Sequence, residues 1–131
     1  MTKVIMHGCN GKMGQTIRSL IAADEEMEIV AGVDARDEGK NPYPVFSAIG
    51  ECTVAADAVI DFSVAAAVDA LLDYCADKKV PCVLCTTGLS EAQLAKVQET
   101  SKQVAVLKSA NMSLGINMLL KLLKEAAKTL S

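Results

Sequence analysis

The chain has little of what would let it hold nucleic acid, a membrane or a metal ion. Lys and Arg total 13 against 16 Asp and Glu, a formal net charge of -3, whereas a general nucleic-acid binder needs a basic face. No apolar run approaches the ~20 residues of a membrane-spanning helix. There is one histidine, His7, and the five cysteines, Cys9, Cys52, Cys75, Cys82 and Cys85, are odd in number and scattered, which does not make a disulfide framework. Cys82 and Cys85 form a C-x-x-C, but inside the apolar run "VPCVLC". Positions three apart on a strand point to opposite faces, and no second ligand pair with zinc spacing accompanies them. They read as buried strand cysteines, with no metal site expected. Met1 leads straight into an apolar strand, leaving no stretch for a signal peptide, so the expected compartment is the cytoplasm.

What the chain does have is alternation. At 131 residues, 51% hydrophobic and 22% charged, it has the length and composition of one packed domain. Strands are expected over Lys3–Met6, Met27–Asp34, Asp57–Phe62, Val80–Thr87 and Gln103–Ser109, with a short one near Val45–Phe46. Helical patterns occupy Lys12 to about Ala23, Val64–Lys79, Ser90–Lys102 and Ser113–Leu130. The first carries Met13, Ile17, Leu20 and Ile21 at helical spacing, and Ser90 opens the third as an N-cap. The polar stretch "ARDEGKNPYP" reads as a loop. Strand–helix alternation with continuous apolar strands implies parallel strands covered on both faces. The expected fold is α/β, a doubly wound, mostly parallel sheet of the Rossmann type.

Three glycines, Gly8, Gly11 and Gly14, stand in "HGCNGKMG" between the first strand and the first helix. Either this is a plain tight turn or a phosphate must approach the backbone there. For a dinucleotide each glycine has a task. Gly8 permits the turn, Gly11 leaves room for the pyrophosphate, and Gly14 allows the helix to pack close to the sheet. Backbone N–H groups around Lys12 and Met13, at the positive helix end, would face the anion, with Asn10 placed to cap the helix. An acidic residue about 20 residues on supports the second reading. Asp34, twenty residues past Gly14 at the end of the second strand, is positioned to accept from ribose hydroxyls. Its charge repels a 2′-phosphate and favours NADH. Arg36 either stacks on the adenine or pairs with a 2′-phosphate, which admits NADPH, or is an exposed loop residue.

Three later stretches, "VIDFSVAAAV", "VLCTTGLSEAQ" and "LKSANMSLGINMLLKLLKEAAK", resemble the bacterial dihydrodipicolinate reductases of lysine and diaminopimelate synthesis. The turn itself has their form G-x-x-G-[RK]-M-G, and the likeness covers essentially the whole chain. The resemblance implies that Gly8, Cys9, Asn10, Gly11, Lys12 and Met13 hold the pyrophosphate and Asp34 the adenosine ribose. Phe62 and Ser63 would lie beside the dinucleotide, and Cys85, Thr86 and Thr87 would line its nicotinamide end. Ser109, Ala110, Asn111 and Met112 would form the loop that carries the nicotinamide into the cleft. Departures are Cys85 for a glycine, Met112 for a phenylalanine, Ala65 for a proline, an arginine (Arg36) offset by one, and a short loop before Val45.

The family's substrate domain, with paired histidines and a lysine, has no counterpart here, and His7 reads as structural. The last helical stretch carries only a narrow polar stripe, Asn117, Lys121, Lys124, Glu125 and Lys128, and its wide apolar face exceeds what one sheet surface needs. We therefore expect residues 1–131 to be the dinucleotide-binding domain of a longer enzyme, with 113–131 leading to a substrate and oligomerisation domain. Catalytic residues are expected only in that second domain. The intact enzyme would be a homo-oligomer that transfers hydride to a cyclic imine-type dicarboxylate. Two alternatives stand beside this: the cofactor domain of an aspartate- or homoserine-type dehydrogenase, and a nucleotide-sensing or CoA-binding module without chemistry.

Overall fold

The computed structural model describes residues 2–34, 43–86 and 88–108, and of Lys12 and Met13 only the backbone. Arg36, Thr87, Ser109, Ala110, Asn111, Met112 and the expected helix at 113–131 lie outside the described residues. The elements are β1 (Thr2–His7), α1 (Lys12–Ala22), β2 (Met27–Val33), β3 (Val45–Phe46), β4 (Ala58–Asp61), α2 (Val68–Lys78), β5 (Cys82–Leu84), α3 (Glu91–Ser101) and β6 (Val106–Lys108). No described helix is long and apolar enough to cross a membrane.

The six strands form one sheet in the order β3-β2-β1-β4-β5-β6, and every pairing is parallel. Alternation along each strand feeds two cores. Val4 and Met6 of β1, Ile60 of β4 and Val83 of β5 join Ile17 and Ile21 of α1 on one face. Ile5, Val59, Cys82 and Leu84 join Val68, Leu71, Leu72 and Cys75 of α2, and Val97 of α3, on the other. The α2 residues recur at i, i+3, i+4 and i+7, the spacing that makes one apolar helix face. Cys82 and Cys85 fall in opposite cores, as three-apart strand positions require, and all five cysteines are free and buried.

Two details depart from expectation. The helical stretch from Val64 opens as a 3₁₀ turn, Ala65–Ala67, and becomes α-helix only at Val68. No side chain caps it, and the tightened turn serves one of its orphan amides, with Ala67 N–H donating to the Val64 carbonyl at 2.9 Å. A second 3₁₀ turn, Ile49–Glu51, buries Ile49 where the sequence pattern showed no element. In contrast, α3 has the complete expected cap. Ser90 Oγ accepts from Gln93 N–H at 3.1 Å, and Gln93 Oε1 accepts from Ser90 N–H at 3.0 Å. Gln93 Nε2 also donates to the Ala65 carbonyl at 2.7 Å, tying α3 to the turn after β4.

Gly8 leaves β1 with φ +88°, and a Cβ there would sit 2.5 Å from the Phe62 carbonyl oxygen. A Cβ on Gly14 would meet the Gly8 and Cys9 carbonyl oxygens at 2.5 and 2.8 Å. Gly14 therefore makes room for the turn itself rather than for the sheet. At Gly11 the nearest obstacle is the Gly8 carbonyl oxygen, at an ordinary 3.4 Å. Gly8→Ala is expected to destabilise the chain by about 3 kcal/mol through strain plus a backbone clash, and Gly11→Ala by less than about 1 kcal/mol. Urea unfolding of the two variants checks this; equal losses would refute it.

Candidate functional site

In a doubly wound sheet, ligands sit beyond the carboxyl ends of the strands where the order reverses. Here the reversal falls at β1, flanked by β2 and β4. A cleft of about 550 Å³ opens at those strand ends, bordered by His7, Gly8, Gly11, Val33, Asp34, Phe62 and Ser63. Ser47, Ala48 and Ile49 form one wall, and Val64, Ala66, Ala67 and Ala70 another. The small residues of the Ala65–Ala67 turn leave this wall low.

The glycine turn is held from below. Gly8 N–H donates to the Val33 carbonyl at 2.7 Å, and Gly11 N–H donates to the Gly8 carbonyl at 3.2 Å. Asn10 is not the N-cap residue of α1. Gly11 is the N-cap residue, in extended backbone, with no side-chain cap and no acidic residue in the first turn. The Asn10 backbone N–H instead donates to Asp34 Oδ2 at 3.0 Å. That bond ties the turn to the end of β2 and sets the carboxylate at the cleft's edge. The first-turn amides of α1 lack intrahelical acceptors, so the helix presents its positive end beside Gly11.

Beneath the turn lies a buried polar network. Asp61, the last residue of β4, is 0% exposed, and its register partner on β1 is His7. His7 Nδ1 meets Asp61 Oδ1 at 2.7 Å. Ser63 Oγ donates to the same oxygen at 2.6 Å and Ser63 N–H at 3.2 Å. Thr86 Oγ1 donates to Asp61 Oδ2. Burial pushes the Asp61 carboxyl up, but the hydrogen bonds from His7, Ser63 and Thr86 and the electrostatic pull of His7 outweigh it, so it is held below its ordinary 3.8.

Of the sequence-derived candidates, Gly8, Gly11, Asp34, Phe62 and Ser63 border the cleft together. Cys9 is fully buried in the α1-side core, so only its backbone belongs to the turn. Cys85 lies in the same core, its thiol pushed up to about 12 by burial and then by Asp61. Thr86 stands behind Ser63, bonded to Asp61. Sequence reasoning missed Asp61, although a carboxylate closing an apolar strand with a serine two residues on is a usable signal. It also missed that His7 belongs to the strand end rather than to the turn.

The sheet order and the cleft at its switch point define the class: a doubly wound, dinucleotide-binding α/β domain. The family profile described as dihydrodipicolinate reductase, N-terminus, matches residues 2–112. Two 4-hydroxy-tetrahydrodipicolinate reductases are similar over 99% of this chain. That of Caldanaerobacter subterraneus subsp. tengcongensis is 48% identical and that of Clostridium novyi 49%. The chain spans about half the length of these curated relatives, 51% and 52%. Among solved structures, a dipicolinate-bound dihydrodipicolinate reductase from Paenisporosarcina sp. TG-14 superposes with TM-score 0.74 at 26% identity, over 97% of this chain and 54% of that one. An oxidoreductase from Agrobacterium radiobacter in complex with NAD+, L-tartaric acid and magnesium shares the fold, with TM-score 0.69 at 14% identity, over 95% of this chain and 40% of that one. The chain belongs to the dihydrodipicolinate reductase family, to its N-terminal part.

A carboxyl whose folded value is depressed adds stability above its unfolded value and loses it as pH falls toward the folded one. Asp61→Asn is expected to cost about 3 kcal/mol at neutral pH, because an amide cannot satisfy donors on both oxygens. The gap between parent and variant should narrow as pH falls below about 4. Urea unfolding at several pH values measures this, and a gap that does not change with pH would contradict it.

Proposed function

We propose that the chain is the NAD(P)H-binding domain of a 4-hydroxy-tetrahydrodipicolinate reductase acting in lysine and diaminopimelate synthesis, working in the cytoplasm. The observation that carries this is the Asp34 carboxylate, pinned by the Asn10 N–H across the cleft's edge, beside a helix start that no side chain caps. In this reading the adenosine ribose hydroxyls donate to Asp34, and the pyrophosphate lies over Gly11 against the first-turn amides of α1. Phe62, Ser63 and the turn after β5 flank the nicotinamide half. Gly11 is the one glycine of the three that the chain's own packing does not demand, which supports a ligand as the reason for it. Asp34 sets NADH above NADPH, because a 2′-phosphate would meet its charge.

When bound, the reduced nicotinamide supplies the hydride, and the acceptor is a cyclic imine-type dicarboxylate. The chain's own part is to bind and orient. The general acid and the groups that hold the substrate carboxylates are assigned to the remaining half of the relatives' length. Residues 113–131 lead toward that half, which also assembles the intact enzyme as a homo-oligomer.

Calorimetric titration with NADH, NADPH and, as a control for a CoA module, CoA tests this reading. NADH should bind more tightly than NADPH, and CoA should not compete. Asp34→Ala should weaken NADH about tenfold or more, and Gly11→Ala should weaken it while leaving the fold intact. The reading fails if neither reduced cofactor binds or if Asp34→Ala changes nothing. The 131-residue chain should show no useful turnover of the lysine-pathway substrate in an NADH oxidation assay; rapid turnover would refute the assignment of the catalytic groups.

A further inference from the structure

His7 is the chain's single histidine. It ends β1 only 3% exposed, and Asp61 holds its Nδ1 at 2.7 Å. Nε2 takes no hydrogen bond among the described residues, yet none of their buried side-chain nitrogens or oxygens is left without a partner. The ring therefore reaches open space at Nε2, and the space that His7 borders is the cleft, between Gly8 and Ser63. A histidine kept only as a counter-ion for Asp61 has no need to turn its second nitrogen into a cavity. Nε2 therefore has room for a partner that arrives from outside. The Asp61 carboxylate accepts from Nδ1–H, which fixes the ring's orientation.

We propose that His7 is a dinucleotide-contacting residue whose Nε2–H donates to a pyrophosphate oxygen. This rests on the dinucleotide reading of the cleft. The position agrees with it: His7 directly precedes Gly8 and shares the cleft wall with Gly8 and Gly11, where the anion would lie.

With only one imidazole, the ¹⁵N spectrum of the 131-residue chain carries a single Nδ1/Nε2 pair. NADH should shift the Nε2 resonance while Nδ1 moves less. ADP, which carries the diphosphate, should do the same, and adenosine should not. His7→Asn keeps a donor for Asp61 and removes the group at Nε2. It should bind NADH about tenfold more weakly, with its unfolding midpoint close to the parent's. His7→Gln reaches toward the Nε2 position but gives up Asp61. It should lose stability and retain more of the affinity than His7→Asn. An Nε2 signal unmoved at saturating NADH, or His7→Asn binding as tightly as the parent, overturns the proposal. If NADH binds and depends on Asp34 while Nε2 stays silent, only the role of His7 falls. If the parent does not bind NADH at all, the reading of the cleft falls with it.

Discussion

Asp61 closes β4 with its carboxylate shut off from solvent, and an unpaired buried carboxylate costs several kcal/mol. Its neighbours must supply the hydrogens, and they come from three different strand ends. His7 reaches across from β1, Thr86 from beyond β5, and Ser63 folds back to give both its amide and its hydroxyl. The network thus braces the sheet sideways at the place where its order reverses. It also dictates the path of the chain after β4. For Ser63 to serve Asp61, the Phe62 carbonyl must lie across the end of β1, and there only a hydrogen fits at Gly8. The first glycine of the turn is in this sense a consequence of the buried carboxylate one strand away.

The helix starts divide along the same line. The start of α3 is sealed by its own Ser90 and Gln93, and Gln93 adds a bond to Ala65 at the cleft wall. Such an end is structural, because its reciprocal cap occupies two of the donors there with the chain's own side chains. The start of α1 has Gly11 where a capping side chain would stand and no carboxylate in its first turn. An uncapped helix start costs about 1 kcal/mol relative to a capped one. A fold that caps one helix with its own side chains and starts the other at a glycine beside a cleft leaves that second end suited to the pyrophosphate proposed there.

Much of this was legible in the sequence because it rests on local rules. Continuous apolar runs marked buried parallel strands, Ser90 marked a helix start, and the glycine turn and Asp34 both came to border one cleft. What was not legible depends on register. Nothing within six residues of His7 indicates that it pairs with Asp61, 54 positions on; that follows only once β1 and β4 lie side by side. Asn10 illustrates the opposite error. Its residue type suits a cap, yet the N-cap position itself falls on Gly11, and the Asn10 backbone amide ties the turn to a carboxylate 24 positions away, a tertiary bond that no local rule foretells. Gly14 was recognised as a close approach, but the neighbour is the turn rather than the sheet, a distinction that only the path of the loop decides.

Charge gives the last constraint. A chain of net charge -3, with Asp34 at the cleft and Asp61 buried beneath it, does not attract a doubly negative ligand through its overall field. That field is screened within about 8 Å at physiological salt, so the decision belongs to groups in contact. The positive end of α1 is worth roughly half an elementary charge, its amides need no reorganisation to meet an anion, and His7 stands directly behind Gly8. In the proposed binding mode Asp34 opposes them only at the far end, where a carboxylate would meet hydroxyls without repulsion and a second phosphate with it. Attraction at the glycine turn and repulsion at the end of β2 are separate terms, and a cleft built this way sets how tightly a dinucleotide is held independently of which one it prefers.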